Sequence, residues 1–168
     1  PKLTKNNLFR GLNNLSESDT SKALDIINLI GDTYEDISYL AIKVKVFSVE
    51  DLLDNALKVI EKIPVKKRKK RLYMPIYESL CKKNKVLAFN FLKDNIYKKY
   101  RLFEFELECL YDNINASNID IFMHIMSDND IIIKKDKKLE EKIRKFGRNT
   151  KIVKINNTNN CLLYTSPS

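Results

Sequence analysis

Lys66-Lys67-Arg68-Lys69-Lys70-Arg71 places six cations in consecutive positions, and the chemistry open to such a run is attraction of phosphate groups with release of their counterions. Successive residues of a helix point about 100° apart, so six neighbours cannot share one face. The run is predicted to surround the chain at a junction between helices. A solvated linker or a localisation signal would carry the same composition. Further cations at Lys82, Lys83, Lys85, Lys98, Lys99 and Arg101 recur at expected turns and are predicted to extend the patch along one edge of the fold. Aromatic residues interleave with them: Tyr73, Tyr77, Tyr97, Tyr100, Phe103 and Phe105. Rings beside cations can stack on unpaired bases. Tyr73, Tyr77 and Leu80 also lie at the spacing of a core stripe, and Tyr73, next to the basic run, is the ring best placed for stacking.

Side chains arranged for catalysis are missing from the pattern. His124 is the one histidine and lies among Met123, Ile125 and Met126 at helical spacing, which reads as a structural position. Glu140-Glu141, and Glu104 with Glu106 or Glu108, read as solvated helix charge. No Gly-rich phosphate loop, Walker-type sequence or histidine–carboxylate metal motif occurs. No catalytic residue, metal site or cofactor is expected in this chain.

The elements that must carry the cations show a repeat. Ala23, Ala56 and Ala88 open a shared apolar pattern at separations of 33 and 32 residues. The matching columns are Leu24/Leu57/Phe89, Ile26/Val59/Phe91 and Ile27/Ile60/Leu92, while the column Ile30/Ile63 breaks at Asn95. A degenerate fourth copy has Asn118 in the alanine slot, followed by Ile119, Ile121, Phe122 and Ile125. A period in the low thirties is the length of a helix-turn-helix unit. The chain is therefore expected to be an all-α solenoid of about four helical hairpins over residues 1–146, followed by a disordered tail over 147–168.

Coarse bounds follow from the pattern and its punctuation. The first pair is Leu3 to Leu15 and Asp19 to Ile30, with N-capping side chains at Ser16 to Asp19 and a left-handed C-cap at Gly31. The second is Tyr34 to Phe47 and Val49 to Ile63, stopped by Pro64. The third is Tyr73 to Lys82 and Lys85 to Tyr97, and the fourth Phe103 to Ile114 and Ile119 to Met126. Ile131-Ile132-Ile133 reads as a short strand or the buried end of a linker, and a charged helix spans Lys135 to Phe146.

Composition bounds the rest. The 168 residues are 43% hydrophobic and 32% charged, with 3 Gly and 4 Pro, which suits one modest core. Against 22 acidic residues stand 31 basic ones, giving a formal charge of +9 that favours a polyanionic partner. Cys81, Cys109 and Cys161 are odd in number and widely spaced, so no disulfide framework and an intracellular, reducing compartment are expected. No signal peptide or membrane-spanning apolar run is visible, and a monomer without membrane association is expected. The first residue is Pro1, which leaves room for the chain to begin inside a longer one.

The stretch Arg71-Leu72-Tyr73-Met74-Pro75-Ile76-Tyr77-Glu78-Ser79-Leu80-Cys81-Lys82-Lys83-Asn84-Lys85-Val86-Leu87-Ala88-Phe89 resembles a pentatricopeptide repeat. In such a repeat an aromatic residue opens the first helix, a Leu-Cys pair closes it and a small residue anchors the second. More narrowly, a basic segment followed by Arg-x-Tyr-x-Pro is similar to the N-terminal domain of protein-only ribonuclease P. That resemblance implies a domain that grips the elbow of precursor tRNA through Lys66 to Arg71, Tyr73 and the cations above. It further implies a separate nuclease domain that removes the 5′ leader with Mg, and a structural Zn between the two. The approach Lys151 to Cys161 looks like the start of that zinc region, yet Tyr164 stands where its second cysteine is due, so Cys161 is only half of a site. Residues after Cys161 resemble translated adapter sequence and read as non-native. The polar base-reading slots of ordinary pentatricopeptide proteins are not polar near Leu72 and Pro75, which favours recognition of shape and phosphates. The alternatives are another RNA-binding repeat protein and a helical scaffold for protein partners.

Overall fold

Ala23, Ala56 and Ala88, the recurring small residues, are each fully buried. A methyl side chain is the smallest that can fill such a site while still burying apolar surface. The computed structural model describes residues 4–132 and 136–146, together with the backbone of 153–156 and 161–164. Leu3, Ile133, Lys135, Gly147 and the side chain of Cys161 lie outside the described residues. The chain divides into two compact units, Pro1–Lys83 and Asn84–Ser168.

The first unit contains α1 (Lys5–Ser18), α2 (Thr20–Ile30), α3 (Ile37–Val49), α4 (Leu53–Glu61) and α5 (Lys70–Lys83). One residue turns α1 into α2: the Asp19 amide donates to the Leu15 carbonyl at 2.7 Å, and its carboxylate accepts from the Lys22 amide at 3.1 Å. Gly31 ends α2 with φ of 62°, a conformation open to glycine without steric penalty. Alternate helices meet, α1 with α3 and α3 with α5, while α2 and α4 each pack on α3. Enclosed by these four helices, α3 is apolar around most of its circumference.

One cation lies inside this unit. Lys43 is buried on α3, close to the Tyr39 and Phe47 rings, and its ammonium donates to Asp32 Oδ1 at 2.9 Å. Lys62 reaches the other oxygen of Asp32 at 3.4 Å. These bonds, that from Lys43 foremost, hold the Asp32 carboxyl below the usual carboxylate range. Nearby, the Tyr39 hydroxyl donates to the Gly31 carbonyl at 2.9 Å, and burial pushes this phenol up to about 12.

The second unit contains α6 (Lys85–Phe91), α7 (Glu104–Leu107), α8 (Ile119–Asp128) and α9 (Lys137–Phe146), with a 3-10 helix over Glu108–Asn113. Here the break in the repeat finds its cause. From Leu92 to Ile96 the chain makes a π-turn, with the Tyr97 amide donating to the Leu92 carbonyl five residues back at 2.8 Å. Such a turn absorbs one extra residue. Ile96, not Asn95, thereby occupies the buried column of Ile63, and Asn95 turns aside to bond the Phe91 carbonyl at 3.2 Å. Counted through Ile96, the column Ile30, Ile63, Ile96 has an unbroken period of 33 residues. On α9, Leu139 and Ile143 are buried and the Lys142 ammonium donates to the carbonyls of Tyr111 and Asp112 at 3.0 and 2.8 Å.

The helical class expected from the sequence is the class observed, and no helix of the described residues is long and apolar enough to cross a membrane. Four expectations are corrected. Phe103 to Ile114 is not one helix but a single α-turn followed by the 3-10 segment, and α3 starts at Ile37 instead of Tyr34. The tail is not wholly irregular, because Val153–Asn156 pairs antiparallel with Cys161–Tyr164. Cys81 and Cys109 each take part in a disulfide, against the absence of disulfides read from the sequence. Ile131 is buried and Ile131-Ile132 forms no strand, as the linker reading has it.

Deleting Asn95 is expected to leave stability within about 1 kcal/mol, since the π-turn reverts to a regular turn with Ile96 still in its slot. Deleting Lys58 from α4 should instead cost about 3 kcal/mol or more, by rotating Ile60 and Ile63 out of the core; urea unfolding of both variants checks the contrast. The depressed Asp32 carboxyl contributes stability that is present above its ordinary value of 3.8 and lost as pH falls through the lower folded value. Acid unfolding of Asp32→Asn should therefore lack that part of the pH dependence shown by the parent chain.

Candidate nucleic-acid interface

Pro64 stops α4, and the basic run then divides among three local structures. Lys66 and Lys67 occupy a 3-10 turn, Arg68 and Lys69 are extended, and Lys70 and Arg71 begin α5. Arg68 is tied down: its Nε donates to the Ile63 carbonyl at 2.9 Å and its guanidinium also reaches the Glu61 carbonyl at 3.4 Å. A cation bonded to the last carbonyls of a helix complements the negative end of the helix dipole. Lys70 is half-buried and has partners of its own. Lys66, Lys67, Lys69 and Arg71 are exposed, and among the described residues none of the four makes an ion pair. The sequence-level run of six is thus a spatial set of four outward charges on a backbone fixed by Arg68.

Arg71 belongs to a second feature that charge counting missed. Where α1, α3 and α5 lie side by side, a groove of about 420 Å³ is lined by Arg10, Lys45 and Arg71, with Phe9, Ala41, Ile42 and Pro75 as its apolar part. Lys45 also pairs with Glu17. Pro75 lacks the amide that would bond the Arg71 carbonyl one turn earlier. Arg10 and Lys45 stand alone in their stretches of sequence; only the packing of alternate helices places them beside Arg71.

The remaining predicted cations are distributed as follows. Lys83 pairs with Asp51 at 2.6 Å, while Lys82 is exposed in the last turn of α5. In the second unit Lys85 pairs with Asp112 at 3.6 Å. Lys98 and Lys99 are exposed beside Arg101 around a recess of about 310 Å³ that Tyr97 and Asp128 also line.

The aromatic residues divide sharply. Tyr73 is 4% exposed and Tyr77 1%, so neither offers a ring face to a ligand; the expectation that Tyr73 stacks on a base is replaced by core packing. Their helical spacing with Leu80 is the signal that holds. Tyr97 is buried as well and donates from its hydroxyl to Asp128. Burial, together with that carboxylate, pushes its phenol up to about 12. Phe103 and Phe105, by contrast, are exposed. His124 is exposed on α8, and no group of three His, Cys, Asp or Glu side chains among the described residues is placed to hold a metal ion.

Arg68→Ala is expected to cost about 1 kcal/mol of stability through loss of its bonds to the Ile63 and Glu61 carbonyls, whereas Lys66→Gln, Lys67→Gln and Lys69→Gln should each stay within about 0.5 kcal/mol. Denaturant midpoints of the four single variants give the comparison directly.

No protein-family model, curated protein or solved structure matches the chain.

Proposed function

We propose that this chain is an RNA-binding domain built of stacked helical hairpins, and that it grips precursor tRNA as the repeat domain of a protein-only ribonuclease P. The observation that carries the binding reading is the set of four cations in one short segment, Lys66, Lys67, Lys69 and Arg71, that are exposed and make no ion pair among the described residues. Four such charges within six positions concentrate positive potential on one inter-helix segment. The basic groove of α1, α3 and α5 continues that potential through Arg71. Phosphate contacts of this kind position an RNA without reading its bases, which accords with the apolar residues Leu72 and Pro75 in the base-reading slots.

The chain's part in the reaction is binding. The Mg and structural Zn implied by the resemblance find no donor set among the described residues, so no cleavage step is assigned to them. The proposed division of labour leaves hydrolysis to a separate nuclease domain. Binding is proposed to involve one copy of the chain per RNA.

Neutralising Lys66, Lys67, Lys69 and Arg71 together should weaken binding to precursor tRNA and lower the slope of log affinity against log salt by up to about four, roughly one counterion for each phosphate no longer engaged. An unchanged slope rejects the segment as the gripping element. Precursor tRNA should also bind more tightly than an unstructured RNA of equal length; equal affinities rule out recognition of folded shape.

A further inference from the structure

The second unit displays two large rings where burial would be the ordinary fate of phenylalanine. Phe103 is 48% exposed and Phe105 70%, and their planes lie within 7° of parallel at a centroid separation of 6.1 Å. The Arg101 guanidinium lies 5.8 Å from the Phe103 ring centroid. These side chains stand on an anchored backbone. The Leu102 amide donates to Asn129 Oδ1 at 2.8 Å, the Leu102 side chain is fully buried, and the Phe103 amide donates to the Glu106 carboxylate at 2.9 Å. Parallel rings held by such a backbone lose little conformational freedom when a planar ligand settles on them.

Charge around the rings is graded. Lys98 and Lys99 lie exposed on the side of Arg101, while Glu104 stands between the two phenylalanines in sequence and faces a recess shared with Arg101 and Phe103. A phosphate is favoured at the lysines and disfavoured at the rings, which suits a nucleotide laid with its base on the phenylalanines and its backbone toward Lys98 and Lys99.

We infer that Arg101, Phe103 and Phe105 form a stacking platform for one unpaired RNA base, whose adjoining phosphate is taken by Lys98 and Lys99. This rests on the RNA-binding reading and adds to it a requirement for an unpaired nucleotide. Stacking of a base on an aromatic side chain tolerates any base, because every base has a π-face. The platform therefore selects single-stranded over paired RNA without selecting sequence.

The test uses the full chain with a short single-stranded RNA carrying 2-aminopurine, and the same sequence as a blunt duplex. The parent chain should quench the 2-aminopurine fluorescence of the single strand. Phe103→Ala/Phe105→Ala should abolish the quench and weaken single-strand binding by about 5- to 150-fold, the range for loss of one stacked base, while leaving duplex binding unchanged. Phe105→Trp should retain the quench and Phe105→Leu should lose it. Because Phe105 is the more exposed ring, its single variants guard against a double variant that fails to fold. An unaltered quench in the double variant, or full retention by Phe105→Leu, would overturn the platform; the latter would mark an apolar docking surface for a protein. If duplex binding persists in either case, only this inference falls. A parent chain that binds neither RNA removes the RNA-binding reading with it.

Discussion

The structure depends on a packing limit at one recurring helix position, which is fully buried in each of three copies and filled there by the smallest apolar side chain. Ala23, Ala56 and Ala88 meet that limit, and four residues further on Ile27, Ile60 and Leu92 fill the adjoining space. Close-packed interiors do not deform continuously. Alanine and its apolar partner must therefore keep their relative phase in each copy. At the third copy, where one more residue lies between Ala88 and Ile96 than between Ala56 and Ile63, the helix widens over Leu92–Ile96 instead of letting the phase slip. Giving up regular α-geometry over one turn costs less than turning Ile96 out of the core.

Cations sort according to how much they are tied to this scaffold. Lys43 is held inside by Asp32 and two rings, Arg68 and Lys142 bond main-chain carbonyls at the ends of helical segments, and Lys83 and Lys85 have carboxylate partners. Among the described residues several scattered cations, such as Lys58, Lys93 and Lys138, are exposed without an ion pair, and two groups of such cations are clustered along the chain: Lys66, Lys67, Lys69 and Arg71 in the first unit, Lys98 and Lys99 in the second. A formal charge of +9 favours polyanions without specificity; under the proposed RNA-binding reading, the arrangement of the clustered cations is what would position one. The same division separates the aromatic residues, since Tyr73, Tyr77 and Tyr97 are buried and Phe103 and Phe105 are exposed.

Helical class and element order were legible in the amino-acid pattern because each helix satisfies its backbone locally and its apolar period reports directly on the buried stripe. Asp19, Gly31 and Pro64 act as stop and start signals through their own backbone chemistry. The third helix was harder, because α3 is enclosed on most sides and its apolar run hides the period. The short α7 was misread for another reason: Phe103 and Phe105 look like core residues by type, yet lie outside.

By itself the sequence determined the all-helical class, the repeating alanine slot and the presence of a concentrated basic segment, all properties of residues near one another along the chain. Only tertiary structure decided that Arg68 is spent on a helix end, that Tyr73 lies inside, that Arg10 and Lys45 join Arg71 in a groove, and that Ile96 takes the place expected of Asn95. Each of these outcomes turns on which side chains face each other after distant segments pack. Local spacing cannot encode them, because a residue's type limits the contacts it can make without naming the neighbour that folding supplies.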